Sequence, residues 1–388
     1  LYEASAELTP WTRRCVRQAD RVLIIANAGD DPAPGRLETA LLSPRPAHAA
    51  PGLELLLLHP DKSRPPARTE RWLAPRQVAQ HHHLARNTPA EFDRLARFLT
   101  GRAIGIVFSG GVFRGFAHGG VIKALQEVGL RPDFVGGTSI GAAIGALYAL
   151  DWPFEKILAR GKGFAAKARS YADLTLPLVS MISSRRLNRL SQELFGDTRI
   201  EDMWTPYFCV SSNLSRATMM VHRRGLLWRS VRASFALPTL LPPVTDGGDI
   251  LVDGSLFDNL PAETMRQLCR DGPVIAVNVS PKKDLTRRYH FDAGLSGGQL
   301  LWSRLNPFAQ EIKAPSLLTT VMRTIVVGRD ESWPQAARDI DLYLEPPVVQ
   351  YDFGDAGSLE YIIQASYEFA RPKLMAWKGL LQARGLLA

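Results

Sequence analysis

Short apolar runs alternate with helix-like segments along most of this chain. Residues 22–25 and 53–58 are apolar runs that predict buried strands within the first hundred residues. Beyond them the segments follow one another closely, with a helix at 91–99, a strand at 103–108, a helix at 119–128 and a strand at 134–136. Because strands that lead directly into helices form mostly parallel sheets covered by helices, the pattern predicts an α/β fold.

The same pattern divides the chain into three regions. We expect an N-terminal α/β segment at 1–100, a core that carries the candidate chemistry at 101–280, and a helical extension that packs on the core at 281–388. Within the core, further strands are predicted at 207–210, 250–252 and 274–279. The tail at 359–387 is typical of one or two packing helices.

The composition is that of a folded protein with an excess of positive charge. The 388 residues are 46% hydrophobic and 22% charged, and they carry a formal net charge of +9. Such a charge favours anionic partners, either nucleic acid or an acidic membrane surface. The basic residues are scattered and form no recognised nucleic-acid-binding motif, so a solvated surface is favoured over nucleic-acid binding.

Cysteine use and hydropathy bear on the compartment. The three cysteines lie far apart and lack metal-ligand spacing, which favours a reducing compartment over a disulfide framework. No run of about twenty apolar residues predicts a membrane span. The chain starts at Leu1 without a signal-peptide pattern, and we interpret it as a fragment or a processed chain.

A run of three histidines raises the question of a metal site. Adjacent residues of a regular strand or helix cannot all face one ion, so we expect a loop or surface role rather than metal binding. The run consists of His81, His82 and His83.

The pentapeptide at 137–141, Gly-Thr-Ser-Ile-Gly, has the form of a nucleophile elbow. It follows the predicted strand at 134–136 and opens an apolar helical run. A tight strand-to-helix turn there would expose the hydroxyl of Ser139 in a cleft. Gly137 and Gly141 suit the turn because side chains would collide where strand and helix approach each other.

A glycine-rich loop follows the preceding strand. Residues 109–120 lie between a predicted strand and a helix, so successive backbone N–H groups can point at one anion. Either a phosphate or the oxyanion formed during ester hydrolysis suits such a loop. The dinucleotide motif is weakened because Val112 stands where its middle glycine would be. A tight turn without a ligand is the remaining alternative.

The third stretch, residues 250–255, ends a short apolar strand in Asp253-Gly254-Ser255. Active-site groups collect at the carboxyl ends of strands in open α/β sheets. Direct hydrogen bonding to a serine would let this aspartate orient the serine hydroxyl and act as its base. A turn aspartate before glycine is the structural alternative.

Together these three pieces resemble the patatin-like phospholipases, most closely the catalytic region of neuropathy target esterase and its bacterial relatives. The resemblance runs over nearly the whole chain. It implies a three-layer α/β/α fold around a mostly parallel sheet, a nucleophile at Ser139 and a general base at Asp253. It also implies an oxyanion hole in the loop around Gly110, Gly111, Val112, Arg114 and Gly115.

The implied activity is hydrolysis of phospholipids or lysophospholipids, without a metal or an organic cofactor. The implied location is the cytoplasmic side of a membrane, bound peripherally. A catalytically weakened scaffold that binds lipid or a protein partner is the alternative. It stays open because Val112 replaces the last glycine of the family's G-G-G-x-R-G loop, and a β-branched residue resists positive φ. Ser255 also replaces the usual glycine or alanine.

Several side chains near these motifs are candidates for further roles. His118 and His222 are the histidines nearest the motifs, and one of them would complete a triad, although the family resemblance argues against it. Residues 226–244 would line an acyl-chain channel whose arginines meet a lipid phosphate, or form an ordinary core helix and loop. The residues concerned are Arg229, Arg232, Phe235, Leu240 and Leu241. Aromatic residues at 152, 154 and 164 would touch a membrane or fill a core.

Overall fold

A computed structural model describes residues 2–5, 7–42, 52–170, 175–176, 178–280, 294–306, 312, 314–315, 320, 337–348 and 359–387. The helices among them are α1 (Pro10–Gln18), α2 (Arg36–Leu42), α3 (Thr69–Leu73), α4 (Pro89–Leu99), α5 (Phe116–Val128), α6 (Ile140–Ala149), α7 (Phe154–Ser170), α8 (Arg185–Phe195), α9 (Leu227–Ser234), α10 (Ala262–Cys269), α11 (Gly297–Leu305) and α12 (Leu359–Ala383). The strands are β1 (Arg21–Asn27), β2 (Gly52–His59), β3 (Gln80–Ala85), β4 (Gly105–Phe108), β5 (Phe134–Thr138), β6 (Tyr207–Asn213), β7 (Thr218–His222), β8 (Val244–Asp246), β9 (Asp249–Asp253), β10 (Val274–Val277) and β11 (Leu342–Leu344).

The larger sheet is mostly parallel, as the sequence pattern predicted. Its parallel part has the order β11-β10-β4-β5-β6. β7 and β9 pair with β6 in the antiparallel sense, and β8 pairs with β9. β7 takes one edge of β6, and the other edge is shared by β5 and β9, which lie end to end along it.

Apolar side chains cover both faces of this sheet and make three layers. Ile106 and Phe108 of β4 belong to one buried cluster, which includes residues of α5, α6 and α12. Val107 points the other way and packs with Phe98 of α4 and Met265 of α10. Because successive strand residues face opposite sides, the continuous apolar run of β4 is typical of a strand buried between two helical layers.

The C-terminal helix α12 packs closely against α5. A side chain at Gly120 would bring its Cβ within 2.2 Å of the carbonyl oxygen of Ile363, so glycine permits this approach. Ala370 and Leu374 of the same helix are fully buried in the cluster beneath.

The first hundred residues build a separate parallel sheet in the order β1-β2-β3. Leu55 and Leu57 of β2 pack against Trp72 and Leu73 of α3. The two apolar runs found in the sequence are therefore strands, as expected, and β3 was not anticipated.

The expectation that the three histidines lie in a loop or on the surface was wrong. They form part of β3, where His82 and His83 are buried. His82 Nε2 lies 3.1 Å from Oε2 of Glu54, and the Nε2 atoms of His81 and His83 contact the carbonyl oxygen of Glu201. The run joins the small sheet to the core through hydrogen bonds.

Two of the aromatic residues considered for membrane contact pack into or against the core. Phe154 is buried, and Trp152 packs against the larger apolar cluster.

Candidate active site

Ser139 occupies a sharp turn between β5 and α6. Its backbone has φ 55° and ψ −125°, a conformation that non-glycine residues rarely adopt. Gly137 and Gly141 allow the turn: added Cβ atoms would lie 2.7 Å from the carbonyl carbon of Gly141 and 2.3 Å from the carbonyl oxygen of Phe108, respectively. The local sequence therefore folds into the elbow that its glycine spacing predicted.

The hydroxyl of Ser139 donates a hydrogen bond to a buried carboxylate. Its Oγ lies 2.7 Å from Oδ2 of Asp253, and both residues are almost completely buried. The backbone N–H of Ser139 donates to Oγ of Ser234 at 2.9 Å. This bond restrains the strained backbone of Ser139. The hydroxyl is thus held towards a single acceptor.

Several backbone and hydroxyl groups form hydrogen bonds with Asp253. Its N–H donates to the carbonyl oxygen of Ala236 at 2.9 Å, and its own carbonyl oxygen accepts from the Ser212 hydroxyl at 2.8 Å. Oδ1 accepts the N–H of Ser255 at 2.8 Å and also a hydrogen bond from the Ser255 hydroxyl. Oδ1 is therefore used for orientation and Oδ2 faces the serine.

The glycine loop begins with two residues tied to neighbouring segments. The Ser109 hydroxyl accepts from the N–H of Val279 at 2.9 Å, and the carbonyl oxygen of Gly110 accepts from the Ser280 hydroxyl at 2.8 Å. The N–H of Gly110 donates to the carbonyl oxygen of Asn259 at 3.3 Å. The N–H of Gly110 is therefore directed at Asn259.

Gly110 nevertheless sets the distance between the loop and the elbow. A Cβ on this residue would stand 3.0 Å from Cβ of Ser139 and 2.6 Å from Oδ1 of Asn259. Gly115 also permits a close approach of the loop to the elbow, because an added Cβ would lie 2.4 Å from Cγ1 of Ile140. The loop lies directly against the turn that carries Ser139.

Val112 adopts a left-handed backbone conformation, which favours glycine. Its φ is 52°, and this residue opens the short 3-10 turn Val112–Gly115. A β-branched residue in this region carries a strain of roughly 1–2 kcal/mol. Within the described part of the chain, the N–H groups of Gly111 and Val112 meet no acceptor. Arg114 is buried behind them, and its N–H donates to the carbonyl oxygen of Gly111 at 3.1 Å.

Neither candidate histidine contacts the serine or the aspartate through a hydrogen bond. Nε2 of His118 donates to the carbonyl oxygen of Ser109 at 2.8 Å, and Nε2 of His222 pairs with the Ser211 hydroxyl at 2.7 Å. Burial lowers the pKa of each imidazole to about 4. Both rings are therefore neutral at pH 7, and their hydrogen bonds are structural.

The arginines at 229 and 232 are already engaged by the protein. Arg232 is buried, with Nε donating to Oδ1 of Asn188 at 3.1 Å and Nη2 donating to the carbonyl oxygen of Pro242 at 2.9 Å. Its guanidinium carbon lies 5.5 Å from the ring centre of Phe235. Nη2 of Arg229 donates to the carbonyl oxygen of Thr245. For Arg232, burial and these bonds favour the alternative of an ordinary core helix and loop, because the side chain anchors the segment that follows α9.

That segment lies next to the site. Leu240 and Leu241 are half-buried, and the N–H of Leu241 donates to the carbonyl oxygen of Leu237 at 2.9 Å. Ala236, at the start of the segment, accepts the N–H of Asp253. The leucines follow Ala236 by four and five residues in the same segment.

Three contributors to this geometry were missed from the sequence. Ser234 accepts the N–H of the elbow, and Asn259 and Ser280 bind the glycine loop. Ser234 lay inside a stretch that resembled the family, but nothing in its local pattern distinguished it from a helix residue. Their roles depend on contacts across 95 to 170 positions of sequence.

The described residues include no group of three or more histidine, cysteine, aspartate or glutamate side chains that could hold a metal ion. Of the helices that the structure describes, none combines the length and the apolar character needed to cross a bilayer.

Comparison with known proteins assigns a class to this arrangement. Residues 106–266 match the family model for the patatin-like phospholipases. These residues therefore form a patatin-like phospholipase domain. Residues 1–91 match the P-loop like domain of the Neuropathy Target Esterase family, so both parts of the chain have counterparts in that group.

Individual relatives extend the likeness beyond the two models. Patatin-like phospholipase domain-containing protein 6 of Homo sapiens is 36% identical over 97% of this chain and 30% of its own length. Patatin-like phospholipase domain-containing protein 7 of Rattus norvegicus has the same identity and coverage. Lysophospholipase NTE1 of Yarrowia lipolytica is 35% identical over 87% of this chain and 27% of its own length. The chain thus spans less than a third of these relatives.

Proposed function

We propose that this chain hydrolyses lipid esters and releases fatty acids from phospholipids or lysophospholipids, with Ser139 as nucleophile and Asp253 as general base. The observation that carries the proposal is the 2.7 Å hydrogen bond from Ser139 Oγ to Asp253 Oδ2 at a strained elbow. The patatin-like phospholipase domain and the name of the yeast relative, a lysophospholipase, support the substrate class.

In the first half of the reaction, Ser139 Oγ attacks the acyl carbonyl carbon while its proton moves to Oδ2 of Asp253. The carbonyl oxygen becomes an oxyanion. The N–H groups of Gly111 and Val112 would donate to it, since the N–H of Gly110 is directed at Asn259. Collapse of this intermediate breaks the ester bond, and the leaving glycerol oxygen takes the proton from Asp253.

In the second half, water attacks the acyl-serine. Asp253 accepts a proton from that water, the same N–H groups stabilise the second oxyanion, and the proton returns to Ser139 Oγ as the fatty acid leaves. Oδ1 stays bonded to Ser255 throughout, so the carboxylate keeps its orientation while Oδ2 exchanges the proton. The cycle requires no metal or organic cofactor.

The test is fatty-acid release from lysophosphatidylcholine and from phosphatidylcholine vesicles by the purified chain. Ser139→Ala should lower the rate by at least about 10³-fold, and Asp253→Asn by about 10²–10⁴-fold. Asp249→Asn is the matched control, since Asp249 lies on the same strand and its carboxylate accepts from Asn213 and Arg216. A fluorophosphonate probe should label the parent and not Ser139→Ala.

The outcomes separate the proposal from its alternative. Unchanged release by Ser139→Ala would overturn the assignment of the nucleophile. A chain that hydrolyses none of these esters and takes no probe would instead be the weakened lipid- or protein-binding scaffold, consistent with the strained Val112.

A further inference from the structure

A group of large apolar side chains projects into solvent just before α8. Leu176, Leu178 and Val179 are 73%, 83% and 67% exposed, and Met181 is also exposed. We call these four residues the apolar face. Single exposed leucines are ordinary on protein surfaces, but a contiguous set of large ones marks an interaction site.

The backbone holds the apolar face in place. The N–H of Thr175 donates to the carbonyl oxygen of Met181 at 3.0 Å, and the N–H of Leu178 donates to that of Leu176 at 2.8 Å. These bonds fix the backbone on both sides of the exposed leucines. Exposure of the leucines is therefore a property of an ordered turn.

Hydrogen bonds connect this loop to the candidate active site. The N–H groups of Met181 and Ile182 donate to the carbonyl oxygens of Thr239 and Leu240 at 2.8 and 3.1 Å. The segment that contains them begins next to Ala236, which binds the N–H of Asp253. Leu256 and Phe257, two further exposed apolar residues, follow Asp253 closely in the chain.

Positive charge follows the apolar face without acidic residues between. Residues 175–192 contain three arginines and no aspartate or glutamate, and Arg185, Arg186 and Arg189 are exposed on the first turns of α8. Apolar side chains beside arginines are the combination that binds the interface of an anionic membrane.

We propose that the apolar face and the arginines of α8 bind an anionic phospholipid bilayer, and thereby bring lipid to Ser139. The leucines enter the boundary between headgroups and acyl chains, and the arginines meet lipid phosphates. The delivery of lipid to Ser139 rests on the proposed function, but binding to the bilayer requires no catalysis.

Flotation with vesicles tests the surface, in a Ser139→Ala background so that lipid is not consumed. Vesicles of phosphatidylcholine alone are compared with vesicles that also contain phosphatidylglycerol. The double variant Leu178→Asp, Val179→Asp should lower the partition coefficient at least about tenfold on both. Arg185→Glu, Arg189→Glu should remove only the gain from phosphatidylglycerol, and added salt should do the same to the parent.

A matched control changes exposed apolar residues elsewhere. Met375 and Leu380 of α12 are about half exposed, and converting both to aspartate should leave flotation unchanged. Equal flotation of the parent and the Leu178→Asp, Val179→Asp variant would overturn the proposal, as would a parent that binds neither vesicle, which would indicate a protein partner instead.

Hydrolysis of a soluble short-chain ester separates this proposal from the one before it. In the active background, the Leu178→Asp, Val179→Asp variant should hydrolyse the soluble ester at the parental rate and lose activity only on vesicles. Loss of both activities together would contradict a surface role. Absence of any esterase activity in the parent would contradict the proposed function, whereas the flotation experiment would still test membrane binding.

Discussion

Ser139 and Asp253 meet where two strands end against the same edge of a third. β5 pairs with the first half of β6, and β9 pairs with the second half in the opposite direction. Thr138 lies opposite Val210, and Asp253 lies opposite the next residue, Ser211. The two strands therefore bring a hydroxyl and a carboxylate to one point from 114 positions apart.

Because the two strands meet end to end, the position of Ser139 depends on the contacts that hold the carboxyl end of β5. The strained backbone of Ser139 has to be held against relaxation, and the bond from its N–H to Ser234 does so from α9. A group that restrains a strained residue affects both folding stability and catalytic geometry.

We expect Ser234→Ala to lower turnover about ten- to a hundredfold, because the buried N–H of Ser139 loses its acceptor and the nucleophile moves. The unsatisfied donor should also cost about 1–3 kcal/mol of unfolding free energy. Steady-state kinetics on a lysophospholipid and urea unfolding measure the two effects.

Ser191→Ala is the control for this substitution. Ser191 is equally buried, on α8, and its hydroxyl has no hydrogen-bond partner within the described ranges. It should keep parental turnover and stability. Equal losses in the two variants would mean that the bond from Ser139 to Ser234 has no special part.

Val112 tests whether a strained loop residue still supplies an oxyanion donor. Val112→Gly keeps the N–H and permits the φ of 52°, so activity should be retained or raised. Val112→Pro removes the N–H and demands a negative φ, so turnover should fall by at least about 10²-fold. Circular dichroism checks that both variants fold, and kinetics on one soluble ester compares them.

A proline variant that folds and turns over at the parental rate would exclude the N–H of Val112 from the oxyanion hole. Low activity in Val112→Gly would show that the valine side chain has a role of its own.

The elbow, the strand before it and the helix after it could be predicted from the sequence because their determinants are local. Glycines at 137 and 141, an apolar strand before them and an apolar helix after them specify one turn. The pairing of Ser139 with Asp253 came from a family resemblance. It could not follow from local pattern, since it depends on β5 and β9 sharing one edge of β6.

Burial of charged and polar side chains was the weakest part of the sequence interpretation. Arg232 lies in a helix with an ordinary amphipathic pattern, and only its contacts with Asn188 and Pro242 show that it is internal. The histidines of β3 were assigned to a loop or the surface because nothing in their polar run indicates a strand that other parts of the chain cover.

Leu240 tests the proposed acyl-chain path. Leu240→Glu should lower activity on long-chain lysophospholipids about tenfold relative to short-chain esters, because a carboxylate in a half-buried apolar position opposes entry of the chain. Leu214→Glu, at an exposed position between β6 and β7, is the control. A substrate series of increasing chain length measures the ratio, and an unaltered profile in Leu240→Glu would place the channel elsewhere.

His118 predicts how stability responds to acid. Its imidazole is fully buried, and burial lowers its pKa from 6.5 to about 4 in the folded chain. Between these values the unfolded chain binds a proton that the folded chain does not, so stability falls as the pH drops from about 6.5 towards 4. Between pH 7 and pH 5 this one group should remove about 2 kcal/mol.

His118→Gln isolates that contribution. Glutamine can keep an N–H donor near the carbonyl oxygen of Ser109 but does not titrate. Urea unfolding at pH 7 and pH 5 should show a smaller loss for the variant than for the parent, by about 2 kcal/mol. The remaining loss belongs to other buried histidines such as His222, whose pKa is lowered in the same direction. Identical pH dependence in the two proteins would mean that the His118 ring gains its proton without unfolding, through an opening of the glycine loop that it supports.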